Sequence, residues 1–110
     1  MAHPEFQVKM GKDGQYYFAL TAKNGQVILA SEGYKAKEGC ENGIESVKHA
    51  SMEEKSFVRK TTTDGQTYFT IRASNGQAIG KSETYKTKES MENGIRSVKT
   101  NAPVAGIHYM

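Results

Sequence analysis

The sequence predicts an α+β fold in which two tandem β-β-β-α units share one antiparallel sheet, with the helices packed on one face. Three observations carry that expectation. The chain repeats itself at an offset of 51 residues, with about 25 identities in the 44 aligned pairs from Phe6/Phe57 to His49/Thr100. Within each copy the apolar residues recur first at a period of two and then at a period near three and a half. Between the period-two stretches stand Asp-Gly and Asn-Gly dipeptides, a strong short-range signal of a hairpin.

Taken in order, the first copy opens with a strand over Glu5 to Met10. Asp13-Gly14 turns it into a second strand over Gln15 to Ala22, and Asn24-Gly25 turns that into a third over Gln26 to Ala30. The second copy places strands at Lys55 to Thr61, Gln66 to Ala73 and Gln77 to Lys81, around Asp64-Gly65 and Asn75-Gly76. These turns are expected to be two-residue loops supplied with positive φ by the dipeptides. Alternation along the middle strands puts Phe18, Leu20 and Ala22, and likewise Phe69, Ile71 and Ala73, on one face. Tyr17, Ala19, Thr21 and Tyr68, Thr70, Arg72 take the other face, which is expected to be the wetter one.

The helices follow. Cys40, Ile44, Val47 and Met91, Ile95, Val98 stand at i, i+4, i+7, which predicts amphipathic helices over Lys37 to Lys48 and Lys88 to Lys99. Thr87 stands where an N-cap belongs, whereas its counterpart Ala36 cannot cap. Lys88, Glu92 and Arg96 have the spacing of a solvent-side ion ladder. Gly43 and Gly94 fall inside both helices, where glycine costs about 1 kcal/mol relative to alanine. Because both lie on the apolar stripe, they are read as letting the helix backbone approach the sheet aromatics. The competing reading, in which Asn42-Gly43 and Asn93-Gly94 cap shorter helices, would strand Ile44 and Val47. Beyond the second copy, Ile107 and Tyr109 alternate as in a short strand, which leaves open an added sheet edge or a disordered tail.

A chain of 110 residues buries only roughly two-thirds of its unfolded surface. Copies of under about 50 residues are not expected to fold alone, so repeats 5–50 and 55–101 are expected to form one domain over 1–110, with 102–110 as a tail. The mean hydropathy is −0.67, and no apolar run approaches the about 20 residues a bilayer requires. Met1 to Met10 lacks the basic start and apolar run of a secretory signal, and a single cysteine, Cys40, cannot form an internal disulfide. A soluble, cytoplasmic protein with no membrane partner is expected.

The strings Asp-Gly-Gln-x-Tyr-Phe, Asn-Gly-Gln-x-Ile, Ser-Glu-x-Tyr-Lys and Asn-Gly-Ile-x-Ser-Val-Lys each occur in both copies. Together they resemble the YegP-like family of small bacterial proteins, from about Phe6 to Asn101. The resemblance implies that both β-β-β-α units join one continuous antiparallel sheet with the helices against one face. It also implies that single-copy members pair as homodimers, so that the duplicated chain is a covalent equivalent and a monomer. The family is essentially uncharacterised and brings no catalytic or binding residues with it.

The residues themselves show no dinucleotide fingerprint, Walker loop, zincin helix, nucleophile elbow or EF-hand loop, so no enzyme, cofactor or metal is expected. His3, His49 and His108 are scattered and none recurs in the other copy. Cys40 aligns with Met91, which marks a buried apolar position more simply than a nucleophile. Glu38, Glu41 and Glu45 read as a solvated helix face. Charge is uneven: residues 1–50 hold six Lys/Arg and six Asp/Glu, whereas 51–110 hold nine and six, so the whole +3 resides in the second half with Arg59, Arg72 and Arg96.

Two candidate binding surfaces follow. Arg72 shares a sheet face with Tyr68, and Tyr17 is the equivalent of Tyr68; a bare sheet carrying aromatic and basic side chains is one way of holding single-stranded nucleic acid. The competing reading is cross-strand packing of the two tyrosines, and the charge excess is small for a dedicated nucleic-acid binder. Tyr34 and Lys35, with Tyr85 and Lys86, form the second candidate in the strand-to-helix connections. There the competing role for the tyrosine is a staple-like cover on the helix N-terminus. The expected function is a non-enzymatic interaction module for a protein or small ligand. Weak single-stranded nucleic-acid binding is the alternative, and an uncharacterised enzyme is the third possibility.

Overall fold

The computed structural model describes residues 3–110; Met1 and Ala2, counted in the expected domain, lie outside the described residues. In the first repeat, β1 (Glu5–Met10), β2 (Tyr16–Thr21) and β3 (Val27–Ala30) precede α1 (Lys37–Ala50). After a 3-10 turn at Glu54–Ser56 come β4 (Phe57–Thr61), β5 (Thr67–Arg72), β6 (Ala78–Lys81) and α2 (Lys88–Asn101). A second 3-10 turn, Ala102–Val104, leads to β7 (Gly106–Tyr109).

The hairpin turns are three-residue loops, which corrects the two-residue expectation. Gly11 N–H donates to the Gln15 carbonyl at 2.8 Å and Gly14 N–H to the Gly11 carbonyl at 3.0 Å, and the other hairpins repeat the pattern. Only the glycines carry positive φ, with Gly14 at +78° and Gly25 at +83°. Asp13 and Asn24 have no positive φ and instead accept from the N–H groups of Gln15 and Gln26 at 3.0 Å. A loop of this length needs a single left-handed residue, which glycine fills without strain.

The strands form one sheet in the order β4-β5-β6-β3-β2-β1-β7. Strands of the two repeats pair antiparallel throughout and meet at the β3–β6 seam through Ala30 and Lys81. The tail takes the added-edge option, and its sense departs from the antiparallel expectation. β7 lies parallel to β1, with Ile107 opposite Phe6 and Tyr109 opposite Val8. It arrives from a helix and not from a hairpin, which is the kind of connection a parallel pair requires.

Phe6, Phe18, Leu20, Leu29, Phe57, Phe69 and Ile71 from the sheet and Cys40, Ile44, Val47, Met91, Ile95 and Val98 from the helices are buried in one cluster. Each helix reaches across the seam: α1 packs on β2, β5 and β6, and α2 on β5 and β3. Both helices run two residues beyond their expected ends at Lys48 and Lys99, since Ala50 and Asn101 are also buried. Thr87 caps α2 by accepting from Ser90 N–H at 3.1 Å, and Ala36 provides no side-chain cap. The expected Lys88-Glu92-Arg96 ladder does not form. Glu92 instead takes the Arg59 guanidinium of β4 in two bonds, Nε–Oε2 at 2.5 Å and Nη2–Oε1 at 2.9 Å, while Arg96 turns to Asn93. A planar two-bond pair is stronger than a solvated ammonium at helical spacing.

Candidate functional site on the open sheet face

Strand alternation sends every second side chain away from the helices, and the register lines several of them up in one row. Gln7 stands opposite Ala19, Ala19 opposite Ala30, Ala30 opposite Lys81, Lys81 opposite Thr70, and Thr70 opposite Val58. Exchanging the repeats maps this row onto itself: Gln7 onto Val58, Ala19 onto Thr70, Ala30 onto Lys81. The short side chains of Ala19, Ala30 and Thr70, with the Lys81 stem turned toward Tyr68, leave a trough along the seam. One cavity, about 310 Å³, is lined by Val27, Ala30, Thr70, Ala78 and Lys81, with Ser31-Glu32 and Ser82-Glu83 also at its wall. A second, about 370 Å³, shares Val27, Ala30 and Ser31 with it and extends over Ala19 to Tyr17, Gln7 and Lys9.

Two features mark this trough. The Lys81 ammonium reaches 5.0 Å from the Tyr68 ring centroid, so its stem runs past Thr70, opposite which it stands. Thr70 is only 7% exposed, which corrects the expectation that this face is wet there, and its Oγ1 has no hydrogen-bond partner among the described residues. A buried hydroxyl left unpaired costs about 1–3 kcal/mol. Thr21 on the same face is buried as well, at the bulge between β2 and β3.

The sequence-predicted residues divide between the two faces. Tyr17, Tyr68 and Arg72 are half-buried on the open face. Three interstrand spacings, roughly 14 Å, separate the strands bearing the two tyrosines. The Tyr17 hydroxyl donates to Asp13 at 2.6 Å, which lowers the Asp13 carboxyl below its ordinary range and raises the tyrosine. Arg72 Nη1 donates to the Gly76 carbonyl at 2.9 Å and borders neither cavity.

Tyr34 and Tyr85 belong to the helix side. Tyr34 stacks on Phe18 with centroids 6.1 Å apart, and Tyr85 on Phe69 at 6.5 Å. A Cβ on Gly43 would stand 2.7 Å from Tyr34 Cζ and 3.2 Å from Phe18 Cε2; one on Gly94 would stand 2.8 Å from Tyr85 Cζ. The mid-helix glycines therefore admit the sheet aromatics, as their place on the stripe predicts. Tyr34 runs under the first two turns of α1, its Cδ1 3.6 Å from where a Cβ on Gly39 would stand and its far end at Gly43, and burial pushes the hydroxyls of Tyr34 and Tyr85 up. Lys35 and Lys86 are exposed beside them.

Cys40 is fully buried, and burial pushes its thiol up. His3, His49 and His108 are exposed. No group of three His, Cys, Asp or Glu suited to a metal occurs among the described residues, and no helix there is long and apolar enough to cross a membrane. The residues that sequence reasoning missed are Ala30 and Lys81, while Thr70 was placed on the open face but given no role of its own. The signal was present as disagreement between the copies, Ala19 against Thr70 and Ala30 against Lys81, each beside an identical pair, Phe18/Phe69 and Ser31/Ser82.

Comparison with known proteins places these observations. A family model described as a domain of unknown function (DUF1508) matches residues 12–55 and again 63–108. The chain is 43% identical over 103 residues to UPF0339 protein PA0329 of Pseudomonas aeruginosa, covering 94% of each chain. It is 44% identical over 101 residues to UPF0339 protein YegP of Yersinia pestis, covering 92% of this chain and 90% of that one. Its fold matches the solution structure of yegP from E. coli, a protein of unknown function, with a TM-score of 0.93 at 38% identity, over 99% of this chain and 94% of that one. The solution structure of UPF0339 protein SO3888 from Shewanella oneidensis matches with a TM-score of 0.92 at 36% identity, over 96% and 90%.

Proposed function

This chain belongs to the DUF1508 family of domains of unknown function, and from that premise we propose that it is a non-enzymatic binding module whose open sheet face receives a small ligand along the repeat seam. One observation carries the reading: at the wall of the trough, beneath the Lys81 stem, the buried hydroxyl Thr70 Oγ1 has no hydrogen-bond partner among the described residues. Sites that bind small molecules pair an apolar floor with a few placed polar groups. Here Val27, Ala30 and Ala78 supply the floor, Thr70 an unsatisfied hydroxyl and Lys81 a cation. The ligand suited to it is a flat apolar molecule with one hydrogen-bonding group and no net negative charge, since Glu32 and Glu83 at the wall outnumber the Lys81 ammonium.

The same reading takes the protein as a cytoplasmic monomer, because the β3–β6 seam already joins two repeats within one chain. The test is a thermal-shift panel of small molecules followed by amide chemical-shift mapping. Stabilising compounds should move the amides of β3, β5 and β6, and Ala30→Trp, which fills the trough, should abolish both effects. Compounds that map to the helix side, or that still bind Ala30→Trp, would overturn the reading. A mixed single-stranded oligonucleotide titrated at two salt concentrations completes it: tight binding that weakens with salt and maps to Tyr68 and Lys81 would put nucleic acid in place of a small ligand.

A further inference from the structure

The two edges of the sheet are built alike and only one is occupied. On the β1 edge, β7 is seated with Ile107 against Phe6 and Tyr109 against Val8. The Tyr109 hydroxyl donates to Glu41, and the Lys37 ammonium lies 4.3 Å from the centre of its ring. Shifting each of these positions by the repeat offset of 51 gives Phe57, Arg59, Glu92 and Lys88. Those residues stand together at the other edge. β4 pairs on one side only, with β5, so its outer backbone groups are unpaired among the described residues. Beside it, where the Tyr109 ring would fall, is a cavity of about 270 Å³ lined by Arg59, Lys60, Thr61, Lys88, Met91 and Glu92.

One difference decides what this second seat accepts. Arg59 replaces Val8, and its guanidinium already holds Glu92, the counterpart of the carboxylate that receives the tail's phenol. It also binds Glu54 through Nη2, and Nη1 makes no hydrogen bond among the described residues. Lys60 and Lys88 make no ion pair among the described residues. The cavity is thus bordered by two lysines without an ion pair and by a guanidinium that already holds two carboxylates, Glu92 and Glu54. A tyrosine would stand opposite a guanidinium where the tail's tyrosine stands opposite Val8, and its hydroxyl would find the receiving carboxylate already taken, whereas a carboxylate would meet the Lys88 ammonium and the outer side of the guanidinium.

We propose that the β4 edge is an acceptor for an extended peptide segment laid parallel to it, with an aliphatic residue opposite Phe57 and a carboxylate opposite Arg59. Main-chain bonding to an exposed sheet edge supplies affinity, and the alternate side chains supply specificity. This surface is separate from the seam trough, so the two readings stand or fall independently.

The probe is a capped six-residue peptide of the tail sequence 105–110 carrying Tyr109→Glu, titrated into the intact protein and followed by amide chemical shifts. Saturable shifts are expected in Phe57–Thr61 and in residues 88–92. The same peptide with Tyr109→Lys should bind roughly tenfold more weakly or not at all, since opposed charge steers and stabilises such a contact. Lys60→Glu combined with Lys88→Glu changes only exposed positions and should erase the preference for the acidic peptide. Arg59→Val, which restores the residue of the first seat, should turn the preference toward the unaltered tail sequence. Absence of binding would leave the lysines and Arg59 as guards of a bare edge and would overturn the proposal. So would equal binding of the acidic and basic peptides, or shifts confined to β1.

Discussion

At Gly43 two penalties oppose each other. Alanine there would gain about 1 kcal/mol of helix propensity. Its methyl would also press on the Tyr34 ring, 2.7 Å from Cζ and closer still to the hydroxyl, with Phe18 behind it. Overpacking of that kind costs roughly 1–3 kcal/mol, so Gly43→Ala should lower the urea midpoint. Gly94→Ala should do the same through Tyr85. Adding Tyr34→Phe to Gly43→Ala removes the nearest atom and should recover part of the loss. A Gly43→Ala protein more stable than the parent would show that the helix can ride higher without cost. The close approach was legible because a mid-helix glycine on an apolar stripe demands a steric reason. The seam site was not: alternation assigns Thr70 and Lys81 to a face, but only the register shows that the Lys81 stem passes over Thr70.

At the scale of the helix, the two copies contain a natural cap experiment. Thr87 accepts from Ser90 N–H at α2, while Ala36 offers α1 nothing although its backbone, φ −126° and ψ 148°, already has cap geometry. Thr87→Ala should cost about 1 kcal/mol, and Ala36→Ser should stabilise by a similar amount. Urea unfolding of the two variants checks both, and an unchanged Ala36→Ser midpoint would mean that some other group already meets the first-turn N–H donors. The β4–α2 junction has its own signature in pH. Arg59 holds the Glu92 carboxyl below its ordinary value, and Lys99 and then Arg59 do so for Glu54. Folded values that lie below the unfolded ones mean stability that is present above the ordinary glutamate range and lost as pH falls through the depressed values. The urea midpoint should therefore drop between pH 5 and pH 3, approximately the window those directions define. Glu92→Gln should shrink the drop, and an undiminished drop would assign it to other carboxylates. Strands, helices and the capped helix start were legible because they rest on neighbours in sequence. The ladder was misread because Glu92 finds Arg59 at a separation of 33 residues, which local spacing does not register. The turns were misread because Asp-Gly suits both a two-residue and a three-residue loop, and only the hydrogen bonds distinguish them.

Over the whole molecule, the seam decides whether two repeats make one cooperative unit. The +3 charge, which by sequence lies in the second copy, is spread there between the β4 edge with Arg59, the solvent side of α2 with Arg96 and the open face with Arg72, so it does not concentrate on any single surface. Burial is different, because it does converge. Leu29 and Gly80 are equivalent positions, yet a single side chain serves both: a Cβ on Gly80 would stand 2.8 Å from Leu29 Cδ2 and 3.1 Å from Ile71 Cγ2. Leu29 of the first repeat thus fills the core of the second, and α1 and α2 each pack across the same line. Leu29→Ala should cost about 2–5 kcal/mol as a buried cavity. If the core is shared, amides of β2 and of β5 should lose hydrogen-exchange protection by the same free energy, since both would exchange through one global opening. Moving the side chain across the pseudo-two-fold, Leu29→Gly with Gly80→Leu, should restore much of the loss. Protection lost in β2 alone would instead mean that the repeats open separately and that the sheet is continuous in hydrogen bonding without being continuous in stability.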